Sequence, residues 1–389
     1  MLPLQGITVV ALEHAIAAPY CTRQLADIGA RVIKVERPGV GDFARGYDQR
    51  VNGLSSHFVW TNRNKESLAL DLKHPLAGEV LQRLLEKADV LVQNLAPGAT
   101  ARLGLSYSAL CDKHPQLIVC DISGYGENGP YRDKKAYDLL IQSEGGFLSV
   151  SGTADEPSKA GCSIADIAAG TMAYGNVLAA LIERGRTGRG RHIDVSMLES
   201  MVEWMGFPMY YAYDGAAPPP RNGAAHATIY PYGPFPAGDG KTVMLGLQNE
   251  REWAVFCEQV LQQPALAHDA RLASNAKRNA ARDALGRIIV DTFGVLTVAQ
   301  VVQRLDDAGI ANAQVNTMAD VWAHAQLKAR GRWTTVASAA GPLPALLPPG
   351  RDDARMDAIP ALGQHTRAIL AELGLPCDLY LQLQGQGTP

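Results

Sequence analysis

A mostly parallel, doubly wound α/β fold is predicted by two features of the N-terminal half. Short apolar runs recur at regular intervals, and amphipathic or turn-rich segments separate them. A third feature, a Pro/Gly-rich break near Tyr210–Ala224, predicts a second and smaller domain beyond it.

The elements follow in order. Ile7 to Leu12 is a short apolar run, read as a buried strand. Pro19 can open a helix that runs to Asp27, with Gly29 as its end. Arg31 to Glu36 is the next strand, and Ser67 to Leu72 alternates as another. Leu76 to Lys87 is an amphipathic helix, followed by strands at Asp89–Val92 and Leu117–Ile122. Segment 166–184 reads as a largely buried helix stopped by Gly185, and a strand-like His192–Met197 follows. Past the break the pattern is strands first, including Thr242–Leu247, then helices such as Glu252–Leu261 and Arg282–Phe293. This is an α+β pattern. Gly341–Gly350 reads as a loop or crossing segment and Gln364–Leu373 as a terminal helix.

Bulk properties exclude several classes. The 389 residues carry 36 basic and 39 acidic side chains, a net charge of −3, so no global field points to nucleic acid or membrane partners. Six scattered cysteines (Cys21, Cys111, Cys120, Cys162, Cys257, Cys377) form no Cys-x-x-Cys or Cys/His cluster. No metal site is expected, and a reducing, cytoplasmic location is. The apolar start lacks a basic leader and is interrupted by Glu13-His14, which argues against a signal peptide. A nicotinamide site needs a Gly-x-Gly-x-x-Gly turn after the first strand. The turn here, Glu13-His-Ala-Ile-Ala-Ala-Pro19, has no glycine, so dinucleotide binding is rejected.

Asp166 is the leading candidate for chemistry. It stands in Lys159-Ala-Gly-Cys-Ser-Ile-Ala-Asp166-Ile-Ala-Ala-Gly170, in the first turn of the apolar helix, where free N–H groups and the helix dipole favour a carboxylate. Spacing alone favours a plain helix cap, a role open also to Ser163. The basic turn Gly188-Arg-Gly190 with Arg186, Arg189 and Arg191 reads as a solvated connection rather than a phosphate cradle.

The Ala-Asp helix start, Leu181-Ile-Glu-Arg-Gly-Arg-Thr-Gly-Arg-Gly190 and Asp194-Val-Ser-Met-Leu-Glu199 resemble the class III CoA-transferases, the formyl-CoA transferase and carnitine CoA-transferase type. The similarity continues at Leu4-Gln-Gly-Ile-Thr-Val-Val-Ala-Leu-Glu13, Gly29-Ala-Arg-Val-Ile-Lys-Val-Glu-Arg-Pro-Gly39, Asn64-Lys-Glu-Ser-Leu-Ala-Leu-Asp-Leu-Lys73, Ser123-Gly-Tyr-Gly126 and Leu362-Gly-Gln-His-Thr-Arg367. The resemblance implies that Asp166 is a covalent nucleophile. It implies that Arg37, Lys73, Arg102 and Lys135 meet the CoA nucleotide and phosphates, and that Asn94 and Leu95 form the adenine-side loop. Tyr137 would line the acyl pocket beside the CoA thioester. Racemases of the same fold carry His where Tyr137 stands, and their His–Asp pair exchanges the α-proton; Tyr137 with Asp138 disfavours that alternative. Ile16 replaces a Gln of formyl-CoA transferase. The loop around Ile16, the block at 134–142 and the block opening on His226 look most like the itaconate and related C5-dicarboxylate branch. Succinyl-CoA is the donor this implies, with itaconate as acceptor and mesaconate, citramalate or malate as alternatives. Arg45, Arg221 and His226 are candidates for the distal carboxylate. No tightly bound cofactor is expected, only the CoA thioester and a small carboxylic acid as substrates. The implied architecture is a doubly wound large domain built from both chain ends (1–205 and 311–389), a linker (206–225) and a small α+β domain (226–310), in an interlocked homodimer.

Overall fold

Alternating apolar and turn segments build a six-stranded sheet in which every strand is parallel to its neighbours. The computed structural model describes residues 1–376; Cys377 and the rest of the expected C-terminal part lie outside the described residues. The strands are β1 (Thr8–Leu12), β2 (Arg31–Glu36), β3 (Lys65–Ala69), β4 (Val90–Gln93), β5 (Ile118–Ser123) and β6 (His192–Ser196). Their spatial order is β3-β2-β1-β4-β5-β6. Strand order reverses between β1 and β4, and open α/β sheets hold ligands outside the strand C-termini at such a point.

The chain divides into two units. The first comprises Met1–Gly146, Ala160–Gly206 and the chain from Gln326 onward; the second comprises Phe147–Lys159 and Phe207–Ala325. In the first unit Val9, Val10, Ala11 and Leu12 of β1 are all buried, as expected where helices cover both faces of a parallel sheet. Helix Ala77–Leu85 buries Ala77, Val80, Leu81, Leu84 and Leu85, a stripe at helical spacing. Each such leucine contributes about 1.5–3 kcal/mol of transfer free energy. Helix Thr366–Glu372 adds Ile369 and Leu370 to the same core, so distant parts of the chain complete one unit.

The second unit has a three-stranded antiparallel sheet of β7 (Tyr232–Pro236), β8 (Thr242–Gly246) and β9 (Asn312–Gln314). Its core gathers Phe235, Trp253, Phe256, Ile289 and Phe293. Helix Arg282–Phe293 has the bounds expected from sequence, whereas the expected helix over 252–261 is Glu250–Val255 running into a π turn at Phe256–Val260. Pairing of β9 with β8 carries this unit's sheet beyond residue 310.

Other expectations change. Gly185 lies inside helix Ile164–Thr187, and Gly188, at φ +68°, ends it with its N–H on the Arg184 carbonyl. A glycine within a long apolar helix is tolerated, but only a left-handed residue closes the last turn. Strand β3 starts at Lys65, two residues before the alternating segment, because Lys65 and Glu66 pair with Val32 and Ile33 of β2. The Pro/Gly-rich segment expected to be a loop contains β11 (Leu343–Leu346), paired antiparallel with β10 (Trp333–Val336). Val336 and Leu343 pack with Ala44, Phe58 and Ile359.

Candidate functional site

Asp166 lies in the first turn of helix Ile164–Thr187 and is half-buried. That helix runs against helix Ala17–Asp27. A Cβ on Gly170 would come within 2.5 Å of the Ala17 carbonyl oxygen, so only glycine permits this approach. One turn earlier, the Ala17 N–H, at the N-terminus of the neighbouring helix, favours the ionised Asp166 carboxylate. The N-terminus of the Asp166 helix is capped from elsewhere: Ser163 makes no side-chain cap bond, and Asp138 takes its place. Asp138 Oδ1 accepts from Ala165 N–H at 2.8 Å and Asp166 N–H at 3.3 Å, and its Oδ2 accepts from Gln142 at 2.6 Å.

The electrostatics differ from the expectation at Asp166. A helix N-terminus favours ionisation, yet burial, then the charge of Asp138, push the Asp166 carboxyl up to about 7, against the lowering bond from Ala17. Tyr47 also lies near. Its hydroxyl is pushed up by partial burial and by Asp42, Asp166 and Tyr137.

Beneath this edge is a buried ionic network. Glu13 accepts from Lys34 at 3.2 Å, Lys65 at 2.7 Å and Thr22 at 2.6 Å, and Lys34 also meets Asp42 at 2.7 Å. Burial opposes ionisation of Glu13, but the two lysines outweigh it and hold its carboxyl below the usual range.

The sheet brings many of the expected residues to one edge. Arg37, Lys73, Asn94, Leu95 and Arg102 follow the C-terminal ends of β2, β3 and β4. Arg37, Lys73, Arg102 and Lys135 are exposed, and none is in an ion pair with a described residue; Arg37 lies over the Phe43 ring at 4.6 Å. Asn94 instead grips the main chain of His14, accepting its N–H at 2.8 Å and donating to its carbonyl at 2.9 Å. Leu95 packs on the core and donates its N–H to Gln93. Ile16 is 3% exposed at the start of helix Ala17–Asp27, and Tyr137, just before the Asp138 helix, is 72% exposed.

Arg45 is already occupied. Its guanidinium forks onto Glu36 with two bonds of 2.8 Å, donates to the Pro360 carbonyl at 3.2 Å and covers the Phe58 ring at 3.7 Å. Burial would raise the Glu36 carboxyl, but Arg45 and Lys34 hold it at about 2. In the second unit, His226 Nδ1 accepts from the N–H groups of Thr228 and Ile229 at 3.2 and 3.0 Å, which leaves Nε2 as the N–H, and the ring stacks on Tyr232. Arg221 donates to the carbonyls of Thr153 and Ala154.

A separate cluster sits on the edge strand β6. His192 Nε2 meets Asp121 at 2.7 Å and Glu127 at 3.3 Å. Among the described residues these three are one group whose donor atoms are close enough to share a cation.

Sequence reasoning misses the capping role of Asp138, because its partners lie 27 and 28 residues away in the chain. It also misses Tyr47 and the Ala17 N–H. The glycine in the Asp166 helix is the one visible signal of close helix packing.

The chain matches the family described as CoA-transferase family III over residues 4–366. It is 34% identical over 380 residues to the succinyl-CoA:glutarate CoA-transferase of Mus musculus, covering 96% of this chain and 87% of that protein. It is 33% identical over 388 residues to the succinate–glutarate CoA-transferase of Agrobacterium fabrum, covering 95% and 96%. Among solved structures, a CAIB/BAIF family protein from Brucella suis superposes with a TM-score of 0.84 at 34% identity, covering 96% of this chain and 99% of that one.

Proposed function

Since the chain belongs to CoA-transferase family III and is a CoA-transferase, we propose that it moves CoA from succinyl-CoA to a free C5 dicarboxylate, with Asp166 as the nucleophile. The observation that carries the reading is the Asp166 carboxylate itself: half-buried, at the C-terminal edge of a doubly wound sheet, one turn from where its helix packs on the start of helix Ala17–Asp27.

The steps balance as carboxyl exchange. Ionised Asp166 attacks the thioester carbonyl, forming a mixed anhydride and releasing CoA thiolate. The thiolate attacks the aspartyl carbonyl of that anhydride, giving an aspartyl-CoA thioester and free succinate. The acceptor carboxylate attacks this thioester, forming a second anhydride and thiolate. The thiolate then attacks the acceptor's carbonyl, giving the new CoA ester and restoring Asp166. Splitting one transfer into covalent steps is nucleophilic catalysis. Exposed Arg37, Lys73, Arg102 and Lys135 supply cations for the CoA phosphates. Asn94 would act on that loop through the His14 main chain, which occupies its side chain.

Arg45 is committed to Glu36, so Arg221 and His226 remain the candidates for the distal carboxylate. Itaconate is the acceptor the sequence favours, and glutarate is the acid in the names of both relatives. One methylene or double bond changes binding by only about 1–3 kcal/mol in an apolar pocket, so both belong in the test. The working form in this proposal is a cytoplasmic, interlocked homodimer. Its support is a set of large apolar side chains left exposed, among them Ile182, Trp204, Phe207, Met209, Tyr210 and Tyr213.

The test is mass spectrometry of CoA esters after mixing the protein with succinyl-CoA and glutarate, itaconate, mesaconate, citramalate, malate or oxalate. A new dicarboxylyl-CoA is expected. Absence of product from every acid overturns the proposed donor and acceptor class.

A further inference from the structure

The first turn of helix Ala17–Asp27 is aimed by a bend that alanine makes under strain. Ala15 sits at φ +60°, a left-handed conformation in which the Cβ of an L-residue crowds the backbone. Such a residue persists only where its surroundings over-determine it. Here two side chains do so. Asn94 brackets His14 with bonds to its N–H and carbonyl. Asp42 Oδ1 accepts the Ala15 N–H at 2.9 Å, and also that of Ala44 at 2.9 Å.

Asp42 is itself held rigidly. It is 1% exposed, its Oδ2 accepts from Lys34 Nζ at 2.7 Å, and its N–H donates to Glu36 at 3.1 Å. Lys34 is anchored in turn on Glu13. Two residues past the bend, Ala17 packs against the Asp166 helix at Gly170, one turn beyond Asp166, and its N–H favours the ionised Asp166 carboxylate. The buried network thus ends, through one strained alanine, on the reacting group.

We propose that Asp42 is a positioning residue for the transfer reaction: by holding Ala15 in the left-handed bend, it aims the Ala17 N–H at the Asp166 carboxylate. The inference rests on the reading of Asp166 as nucleophile. Asp42 touches no substrate in this account and acts only through the loop.

The experiment compares wild type, Asp42→Asn, Asp42→Ala, Asp42→Ala/Ala15→Gly and Ala15→Val. It reads kcat, KM for succinyl-CoA, the pH–rate profile and hydrogen exchange at the Ala17 amide. Asp42→Ala is expected to lower kcat about tenfold or more, since small misplacements of reacting groups are costly, while KM stays nearly constant. The Ala17 N–H lowers the Asp166 pKa, so its loss moves the acid limb of the profile to higher pH; Asp138 and Tyr47, which also face Asp166, are unchanged in these variants. Exchange at Ala17 rises. Asp42→Asn keeps an oxygen acceptor for Ala15 and retains most of kcat. Glycine at position 15 adopts positive φ without steric cost and restores part of the loss.

Asp42→Ala leaves buried Lys34 with Glu13 alone and could fail to fold. Ala15→Val then gives the same readout with the ionic network intact, because a β-branched residue resists this conformation. Unchanged exchange at Ala17 together with an unmoved pH profile, in a folded variant, overturns the proposal. A fall in kcat that tracks only the folded fraction, without rescue by glycine, overturns it too. The exchange measurement needs no turnover, so it is separate from the Asp166→Ala assay that tests the underlying reading.

Discussion

The Asp138 carboxylate caps the helix that carries Asp166, accepting the N–H of Ala165 and of Asp166 itself through one oxygen. A cap that bonds the backbone also places a negative charge beside the Asp166 carboxylate, and the two effects oppose each other. The dipole is satisfied, while ionisation of Asp166 is held up to about 7, first by burial and then by Asp138.

The first prediction follows from that opposition. As the proposed nucleophile, Asp166 attacks only when ionised, so turnover should rise with pH through about 7. Asp138→Asn keeps an oxygen for the cap and removes the charge, so the acid limb of the pH–rate profile moves to lower pH. The check is kcat/KM from pH 5 to 9 in both proteins. Asp138→Ala also loses the cap, at about 1 kcal/mol of stability, read as a lower Tm.

Gly170 tests the packing that brings the two helix N-termini together. In Gly170→Ala the added Cβ meets the Ala17 carbonyl oxygen at 2.5 Å, and neither backbone can yield locally. Overpacking of this kind costs about 1–3 kcal/mol. Denaturant unfolding reads that loss, and activity should fall further than the folded fraction because Ala17 moves away from Asp166.

Arg45 separates two roles. As a substrate anchor, its loss would raise KM for the acid and leave stability alone. The structure instead commits it to buried Glu36. Arg45→Ala should therefore destabilise the protein by about 3 kcal/mol, the scale of leaving a buried charge without its partner. Urea unfolding of the variant checks this, and an unchanged midpoint with a raised KM would return Arg45 to the acyl pocket.

His192 gives the protein a pH-dependent term in stability. Its hydrogen bond to Asp121 raises its pKa above 6.5, aided by Glu127. The sign is that of a group bound more tightly as a cation. The contribution is fully present below the unfolded pKa and is lost as pH rises through the folded value. The Tm gap between wild type and His192→Asn should be largest near pH 6 and should shrink towards pH 9.

How far the sequence alone reaches can be judged element by element. The runs at Thr8–Leu12 and Arg31–Glu36 announce themselves because burial on both faces writes a short, mostly apolar run, and the helix Arg282–Phe293 because burial on one face writes a helical period. The hairpin β10–β11 does not, since Pro344 on a two-stranded edge contradicts every strand signal except alternation of burial. Asp166 is visible as an acid at a helix start, but its raised pKa depends first on burial and then on Asp138, distant in sequence. Asn94 and Arg45 look like ligand-binding polar residues in loops; only the fold shows that one holds the His14 main chain and the other a buried glutamate. Long-range hydrogen bonds leave no periodicity to read.

The central claim is that Asp166 carries the transferring group, and the most direct measurement is intact-protein and peptide mass spectrometry after mixing with succinyl-CoA in the absence of acceptor. The account predicts a CoA thioester on the peptide containing Asp166, discharged on adding a dicarboxylate, with neither adduct nor turnover in folded Asp166→Ala. Turnover retained by that variant would contradict it.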